Sequence, residues 1–312
     1  LMETLGAKGV KAAVIVSSGF EELGAEGRAL AEQAHAAADR YGIRVVGPNC
    51  IGVLNGDPAV RLNATFAQES PKRGRAGILS QSGAVGIDLL NRAERAGIGV
   101  AQFVSLGNQM QTDAAAMLAA WSDDPAVGFV MGYLESIPDA AALRAMAATT
   151  RRKPVVLIKS GRSKSGAQAA SSHTGALAGS DAAVDELFRV CGIQRAASIR
   201  QLFAAAQAFE FGKPSRGPRM AIYSNAGGYA VMAADRLELF AHDRAGLNLA
   251  RFSDATEAKL AGLLSPLATH RNPIDVTAAG PADNPGGYQD GLRAVLADDG
   301  VDSVLVAVVP LL

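Results

Sequence analysis

Gly77-Ile78-Leu79-Ser80-Gln81-Ser82-Gly83-Ala84 is an apolar run that ends in serine, an amide, a small residue and glycine. It reads as a buried strand, with Gly83 turning into a helix expected over 83–96. The pattern returns at Ala221-Ile222-Tyr223-Ser224-Asn225-Ala226-Gly227-Gly228. Two such openings in one chain point to α/β domains with doubly wound parallel sheets. The small residue before each glycine leaves the first helical N–H groups accessible. A helix start of this kind carries about half a positive charge. With its unsatisfied donors it is a socket for an anion. Such turns also occur in doubly wound sheets without a ligand, so the repetition counts for more than either socket alone.

Outward from the first opening, strands are expected at 76–80, 99–105, 127–134 and 154–159. Helices are expected at 83–96, 113–122, 139–151, 181–190 and 198–211. The alternation is that of a flavodoxin-like domain. After the second opening, a strand is expected at 219–223 and helices at 227–239, 254–264 and 288–296. Val301 to Leu312 reads as a buried parallel strand. Upstream, an apolar run at 12–16, a helix at 25–40 and a strand at 44–46 lead into Gly47-Pro48-Asn49-Cys50. This is the pattern of the second half of a Rossmann-like domain. Its glycine-rich phosphate turn would precede Leu1. Polar, Pro/Gly-rich breaks at 70–74 and 212–218 divide the chain into 1–69, 70–213 and 217–312. A start on Leu1 and an end on an uncovered strand lead us to expect a fragment of a longer chain.

The 312 residues carry 30 basic and 30 acidic side chains, and net charge is zero. No basic stripe interleaved with aromatics is present, which excludes a nucleic-acid partner. The longest apolar run is too short to span a bilayer, and no signal peptide is evident. Cys50 and Cys191 lack metal-ligand spacing, so no metal site is expected within the chain, and they suit a reducing cytoplasm. No complete GxGxxG with a downstream acid supports a dinucleotide oxidoreductase.

The chemistry centres on Ser171-Ser172-His173-Thr174-Gly175-Ala176-Leu177-Ala178-Gly179-Ser180-Asp181. His173 is expected in a loop of small residues that approaches a ligand closely and moves. An imidazole is largely neutral at pH 7 and nucleophilic. A phosphorylated histidine would carry about two negative charges, and two helix N-termini would stabilise it. The ring also needs a carboxylate to fix its tautomer. Glu135, at the end of a strand in the same domain, is the candidate. Asp181 reads as a helix cap. His35 reads as a surface residue, and His242 and His270 are given no role.

Together these motifs resemble the NDP-forming acyl-CoA synthetases and, more distantly, succinyl-CoA synthetase. The carriers are Val16 to Phe20, Gly47 to Gly52, Ser80 to Ala84, Ser105 to Asn108, Tyr133 to Glu135, Lys159 to Arg162, the His173 segment and Asn272 to Val276. They span the chain in the family's order. The resemblance implies a partial CoA-binding domain followed by flavodoxin-like succinyl-CoA ligase domains. It implies an acid–thiol ligase that interconverts acyl-CoA, NDP and phosphate with carboxylic acid, CoA and NTP through a phosphohistidine at His173, with Glu135 as its orienter. It implies phosphate-facing helix starts at Gln81, Ser82 and Gly83 and at Asn225, Ala226 and Gly227, and CoA contacts at Ser17, Ser18, Gly19 and Asn49. It implies ATP or ADP and Mg²⁺ on an ATP-grasp domain or subunit outside this chain, a cytoplasmic oligomer, and no complete reaction by this chain alone. Gln109 to Thr112 lacks the acidic residue the family pattern suggests. The acyl group and the choice of ADP or GDP stay open. Two other readings stand beside the ligase: the sensor portion of a protein acetyltransferase, and a non-catalytic CoA- or nucleotide-binding module.

Overall fold

Phe129-Val130-Met131-Gly132-Tyr133-Leu134 has no polar face, which suits a strand covered by helices on both sides. The computed structural model describes residues 1–68, 71–137, 153–174, 180–213, 215–243, 247–278 and 284–310. They form two units, Leu1–Lys213 and Pro214–Leu312.

The first unit opens with α1 (Met2–Ala7), β1 (Ala12–Val14), α2 (Ala25–Tyr41) and β2 (Arg44–Val46), then β3 (Gly52–Asn55) and β4 (Leu62–Thr65). There follow β5 (Arg73–Ser80), α3 (Gly83–Arg95), β6 (Val100–Ser105), α4 (Ala114–Asp123), β7 (Phe129–Leu134) and β8 (Val155–Lys159). The unit closes with α5 (Lys164–Thr174), α6 (Asp181–Cys191), β9 (Gln194–Arg195) and α7 (Ile199–Phe211). The strand order β6-β5-β7-β8-β9, all parallel, is the flavodoxin-like order 2-1-3-4-5. Side chains alternate between two cores. Leu79, Val104, Val130 and Leu157 pack with Leu118, Trp121 and Phe188 on one face. Ile78, Phe103, Met131 and Val156 pack with Leu89, Leu90 and Leu202 on the other. Each fully buried side chain of this size stabilises the fold by about 1.5–3 kcal/mol.

Three expectations change. First, β3 and β4 lie before the polar break, yet they extend the sheet that follows it. They form an antiparallel pair, and β3 runs antiparallel to β6. Second, residues 164–174 are helical rather than loop. Ser163 Oγ accepts the Gly166 N–H at 3.0 Å, and Ala167 to Ala170 are strong helix formers with one glutamine among them. Third, the last strand is partly exposed, with Leu305 at 42% and Val306 at 41%. The helix expected at 139–151 lies outside the described residues.

The second unit contains β10 (Arg219–Ser224), α8 (Gly227–Asp243), β11 (Asn248–Leu249), α9 (Asp254–Leu263), β12 (Ile274–Asp275), α10 (Pro285–Leu296) and β13 (Ser303–Ala307). β10 is parallel to β11, β12 and β13. Between β11 and β12, Asn272 fills the gap in the ladder. Its Oδ1 accepts the Ile222 N–H at 2.8 Å, and its Nδ2 donates to the carbonyls of Met220 and Ala250 at 2.8 and 3.0 Å. Tyr223, Leu260, Ile274 and Val295 form the core.

Asp302 joins the starts of β10 and β13. It accepts the Arg219 N–H and Nε at 2.9 Å and Nη2 at 2.8 Å. These hydrogen bonds lower its carboxyl from 3.8 to about 2. The contribution is complete above the unfolded value and is lost as pH falls through the folded one. Asp302→Asn therefore flattens the acid-side loss of stability between pH 3.8 and about 2, read from urea unfolding midpoints.

Candidate active site

The chain's progress across the first sheet reverses between β5 and β7. Open α/β sheets hold ligands in the crevice beyond the strand ends at such a reversal. Ser80 and Tyr133 are the last ladder partners there. Beyond them, the N–H groups of Glu135 and Ser136 lie past the ladder. Gln81 Oε1 accepts both, at 2.8 and 2.9 Å, and Gln81 Nε2 donates to Ser136 Oγ at 2.8 Å. Gln109 Nε2 reaches the same hydroxyl at 3.4 Å, and its Oε1 accepts the Ala114 N–H at the start of α4 at 3.2 Å. Loops after three strands thus meet at Ser136. Glu135 itself is buried.

Two neighbours register the Glu135 charge. Burial raises the Tyr133 phenol and Glu135 adds to it, against the hydrogen bond to Ser160. Burial lowers the Lys159 ammonium and Arg195 adds to that, against the pull of Asp181 and Glu135. Lys159 Nζ donates to the Ser160 carbonyl at 2.6 Å.

Ser82 caps α3, its Oγ accepting the Val85 N–H at 3.5 Å. The N–H groups of Gly83 and Ala84 have no acceptor among the described residues. A Cβ on Gly83 would lie 2.6 Å from Cγ2 of Ile51, so the position requires glycine unless that side chain moves.

The second unit repeats the arrangement. Ser80 Oγ donates to the Ser82 carbonyl at 2.6 Å, and Ser224 Oγ to the Ala226 carbonyl at 3.0 Å. Asn225 Oδ1 accepts the Val309 N–H at 2.8 Å, and its Nδ2 donates to the Val309 carbonyl at 2.8 Å. Ser224 pairs with Ala307 as Ser80 pairs with Tyr133, so Val309 occupies the place that Glu135 takes in the first unit. The start of α8 already faces a carboxylate. A Cβ on Gly227 would lie 2.4 Å from Oδ2 of Asp275.

The residues expected to contact CoA lie around β1 and β2. Ser17 and Ser18 are exposed, and Gly19 has φ +105. The Ser17 carbonyl accepts the Asn49 N–H at 2.9 Å. Asn49 Nδ2 donates to Asn108 Oδ1 at 3.3 Å, and Asn108 Nδ2 donates to Glu21 at 2.6 Å and Glu22 at 3.0 Å. The stretch without the acidic residue binds β2 instead: Gln111 Oε1 accepts the Val45 N–H at 2.9 Å, and Thr112 Oγ1 donates to the Val45 carbonyl at 2.7 Å.

Gln81, Ser82, Gly83 and Glu135 therefore share one crevice. His173 lies in the last turn of α5, on the segment that leaves β8, the next strand of the sheet. Asn225, Ala226 and Gly227 belong to the second unit. Ser180 is the N-cap of α6 and Asp181 its first residue, one position from the expected cap. His35 Nδ1 lies 3.1 Å from Asp39 Oδ2 on the partly exposed face of α2. Sequence reasoning did not single out Ser136, Gln109, Asp275 or Arg195. An amide at the same place in both repeats was the available signal for the strand clamps. Gln81→Leu orphans two N–H groups and costs about 1–3 kcal/mol for each that stays buried, read by urea unfolding.

The profile of the succinyl-CoA ligase-like flavodoxin domain matches residues 73–209. The chain is 38% identical over 310 residues to ADP-forming acetate–CoA ligase I of Archaeoglobus fulgidus, covering 99% of this chain and 44% of that protein. It is 36% identical over 307 residues to the alpha subunit of ADP-forming acetate–CoA ligase II of Pyrococcus furiosus, covering 98% of this chain and 65% of that subunit. A solved dinucleotide-forming acetyl-coenzyme A synthetase of Ca. Korarchaeum cryptofilum, in complex with phosphate and ADP, superposes with a TM-score of 0.90 at 34% identity. That match covers 98% of this chain and 64% of the solved one. The chain thus spans between 44% and 65% of the curated relatives it matches here. With its flavodoxin-like strand order, the chain carries a succinyl-CoA ligase-like flavodoxin domain and is similar over nearly its whole length to ADP-forming acetate–CoA ligases.

Proposed function

We propose that this chain is the phosphohistidine-bearing portion of an acid–thiol ligase, with His173 as the phosphoryl carrier. The observation that carries the reading is Glu135, buried and pinned by Gln81 beside the open N–H groups of α3, in the sheet whose next strand leads to His173. His173 attacks the phosphorus of an acyl phosphate. The N–P bond forms as the bond to the acyl oxygen breaks, and the carboxylate leaves with the electron pair. Glu135 orients the imidazole and stabilises the positive charge the ring acquires. Gly83 and Ala84 supply donors for the phosphoryl oxygens, and the helix start contributes about 1–2 kcal/mol where it is partly buried. In the second unit the helix start at Asn225, Ala226 and Gly227, next to Asp275, is an anion socket of the same kind. The backbone, rather than the amide side chains of Gln81 and Asn225, faces the anion.

Ser17, Ser18, Gly19 and Asn49 would hold part of coenzyme A. The acyl phosphate and CoA arise from acyl-CoA and phosphate at this site. The histidine then passes the phosphoryl group to ADP on an ATP-grasp domain or subunit, where Mg²⁺ accompanies the nucleotide, in a cytoplasmic oligomer. The Pyrococcus furiosus relative is an alpha subunit, which supports a separately encoded partner as one arrangement. Among the described residues no helix is long and apolar enough to cross a membrane, and no group of three His, Cys, Asp or Glu side chains is placed for a metal ion.

Phosphoryl labelling of the full-length enzyme tests the assignment. Wild type takes up an acid-labile, base-stable label, and His173→Ala takes up none. Equal labelling of that variant removes the proposal. Glu135→Gln slows label formation by roughly a hundredfold, and an unchanged rate demotes Glu135 to a bystander.

A further inference from the structure

Two guanidinium groups and two carboxylates form a closed square at the base of the segment that carries His173. Arg195 comes from β9, and its side chain is only 2% exposed. Its Nη2 bonds Asp181 Oδ1 at 2.5 Å and the Lys159 carbonyl at 3.2 Å, and its Nη1 bonds Asp185 Oδ1 at 2.8 Å. Arg162 approaches the same two carboxylates from outside. Its Nε donates to Asp181 Oδ2 at 3.2 Å, and its Nη2 lies 3.8 Å from Asp185 Oδ2. Each carboxylate thus spends one oxygen on each arginine.

The positions of these groups along the chain give the square its meaning. Lys159 is the last residue of β8, where the segment leaves the sheet, and Arg162 lies just beyond it. Asp181 and Asp185 lie on the first turns of α6, where the chain returns. Arg162 and Asp181 are 19 residues apart in sequence, with His173 between them. Burial opposes ionisation of Asp181, but the hydrogen bonds from Arg195 and Arg162 outweigh it and hold the carboxyl below its ordinary value. Asp181 and Asp185 also complement the positive end of α6. The square is neutral overall, and Arg195 anchors it to the sheet.

We infer that Arg162 and Arg195, acting through Asp181 and Asp185, are positioning residues that fasten both ends of the His173 segment beside Glu135. The inference rests on the phosphohistidine reading above. With both ends fastened, the encounter of the histidine with the crevice is a local search from a fixed base. Releasing the departing end widens the search and lowers the fraction of productive encounters. The chemistry after encounter is unchanged.

Arg162 is half exposed, so Arg162→Ala keeps the Arg195 pairs and the fold, which circular dichroism and the melting temperature verify. In the full-length enzyme, Arg162→Ala forms phosphohistidine about tenfold more slowly than wild type, with KM for the acyl donor unchanged. Arg162→Lys falls between the two, because one ammonium cannot fork to two carboxylates. The Arg162 side of the square is open to screening. The ratio of wild-type to Arg162→Ala rates therefore closes toward one between about 0.05 and 0.5 M salt. A wild-type or faster rate in Arg162→Ala overturns the inference. So does a loss that tracks the folded fraction, appears in KM, or keeps the same ratio at every salt concentration. His173→Ala in the same assay separates the two ideas: if it labels as wild type does, the phosphohistidine reading fails first.

Discussion

A parallel strand ends with donors and acceptors that no neighbouring strand can meet, and the carboxyl edge of such a sheet has to be closed by something else. Here a carboxamide closes it. Gln81 takes up the two N–H groups beyond β7, and Asn225 takes up both backbone groups of Val309 beyond β13. Each amide follows the serine that ends the central strand, so strand, turn and helix start form one hydrogen-bonded unit with the neighbouring strand. The site inherits its geometry from this closure. Glu135 is fixed through its own backbone rather than by packing of its side chain alone, and the same turn opens α3 toward the crevice.

The two units share this closure but not its chemical content. The first places a glutamate at the end of the clamped strand, and the second places Val309. The second carries Asp275 against its helix start, where the first has the methyl group of Ile51. One copy thus holds a buried carboxylate at the end of its clamped strand. The other offers a helix start already shared with a carboxylate. A duplicated scaffold need not duplicate its chemistry, since backbone donors come with the fold and the carboxylate has to be supplied by a particular residue.

The central strands were legible because buried parallel strands are nearly continuous apolar runs, and helices such as α3 and α6 have one clear apolar face. Serine, amide and glycine at the two openings announced the turns. What the sequence hid was of two kinds. The first was pairing at long range. The Gln81 carboxamide was expected to face an anion, while the N–H it accepts belongs to a residue 54 positions away. The four members of the arginine–aspartate square are likewise gathered from β9, α6 and the segment after β8. The second was local competition. Gly, Ser and Ala between Ser163 and Thr174 suggested a loop by bulk, yet alanine propensity and a serine cap favour a helix. The hairpin β3–β4 escaped notice because its strands are short and half polar.

That hairpin has a practical meaning for anyone dividing this molecule. β3 lies along the outer side of β6 and takes up backbone groups that would otherwise be bare. A piece begun at the polar stretch near Pro71 would keep all five parallel strands but lose this shield. It would present the bare edge of β6, the kind of border that recruits other chains into sticky assemblies. The place where the composition changes is therefore a poor place to cut, and a clean separation has to keep residues 52–65 with the sheet they protect.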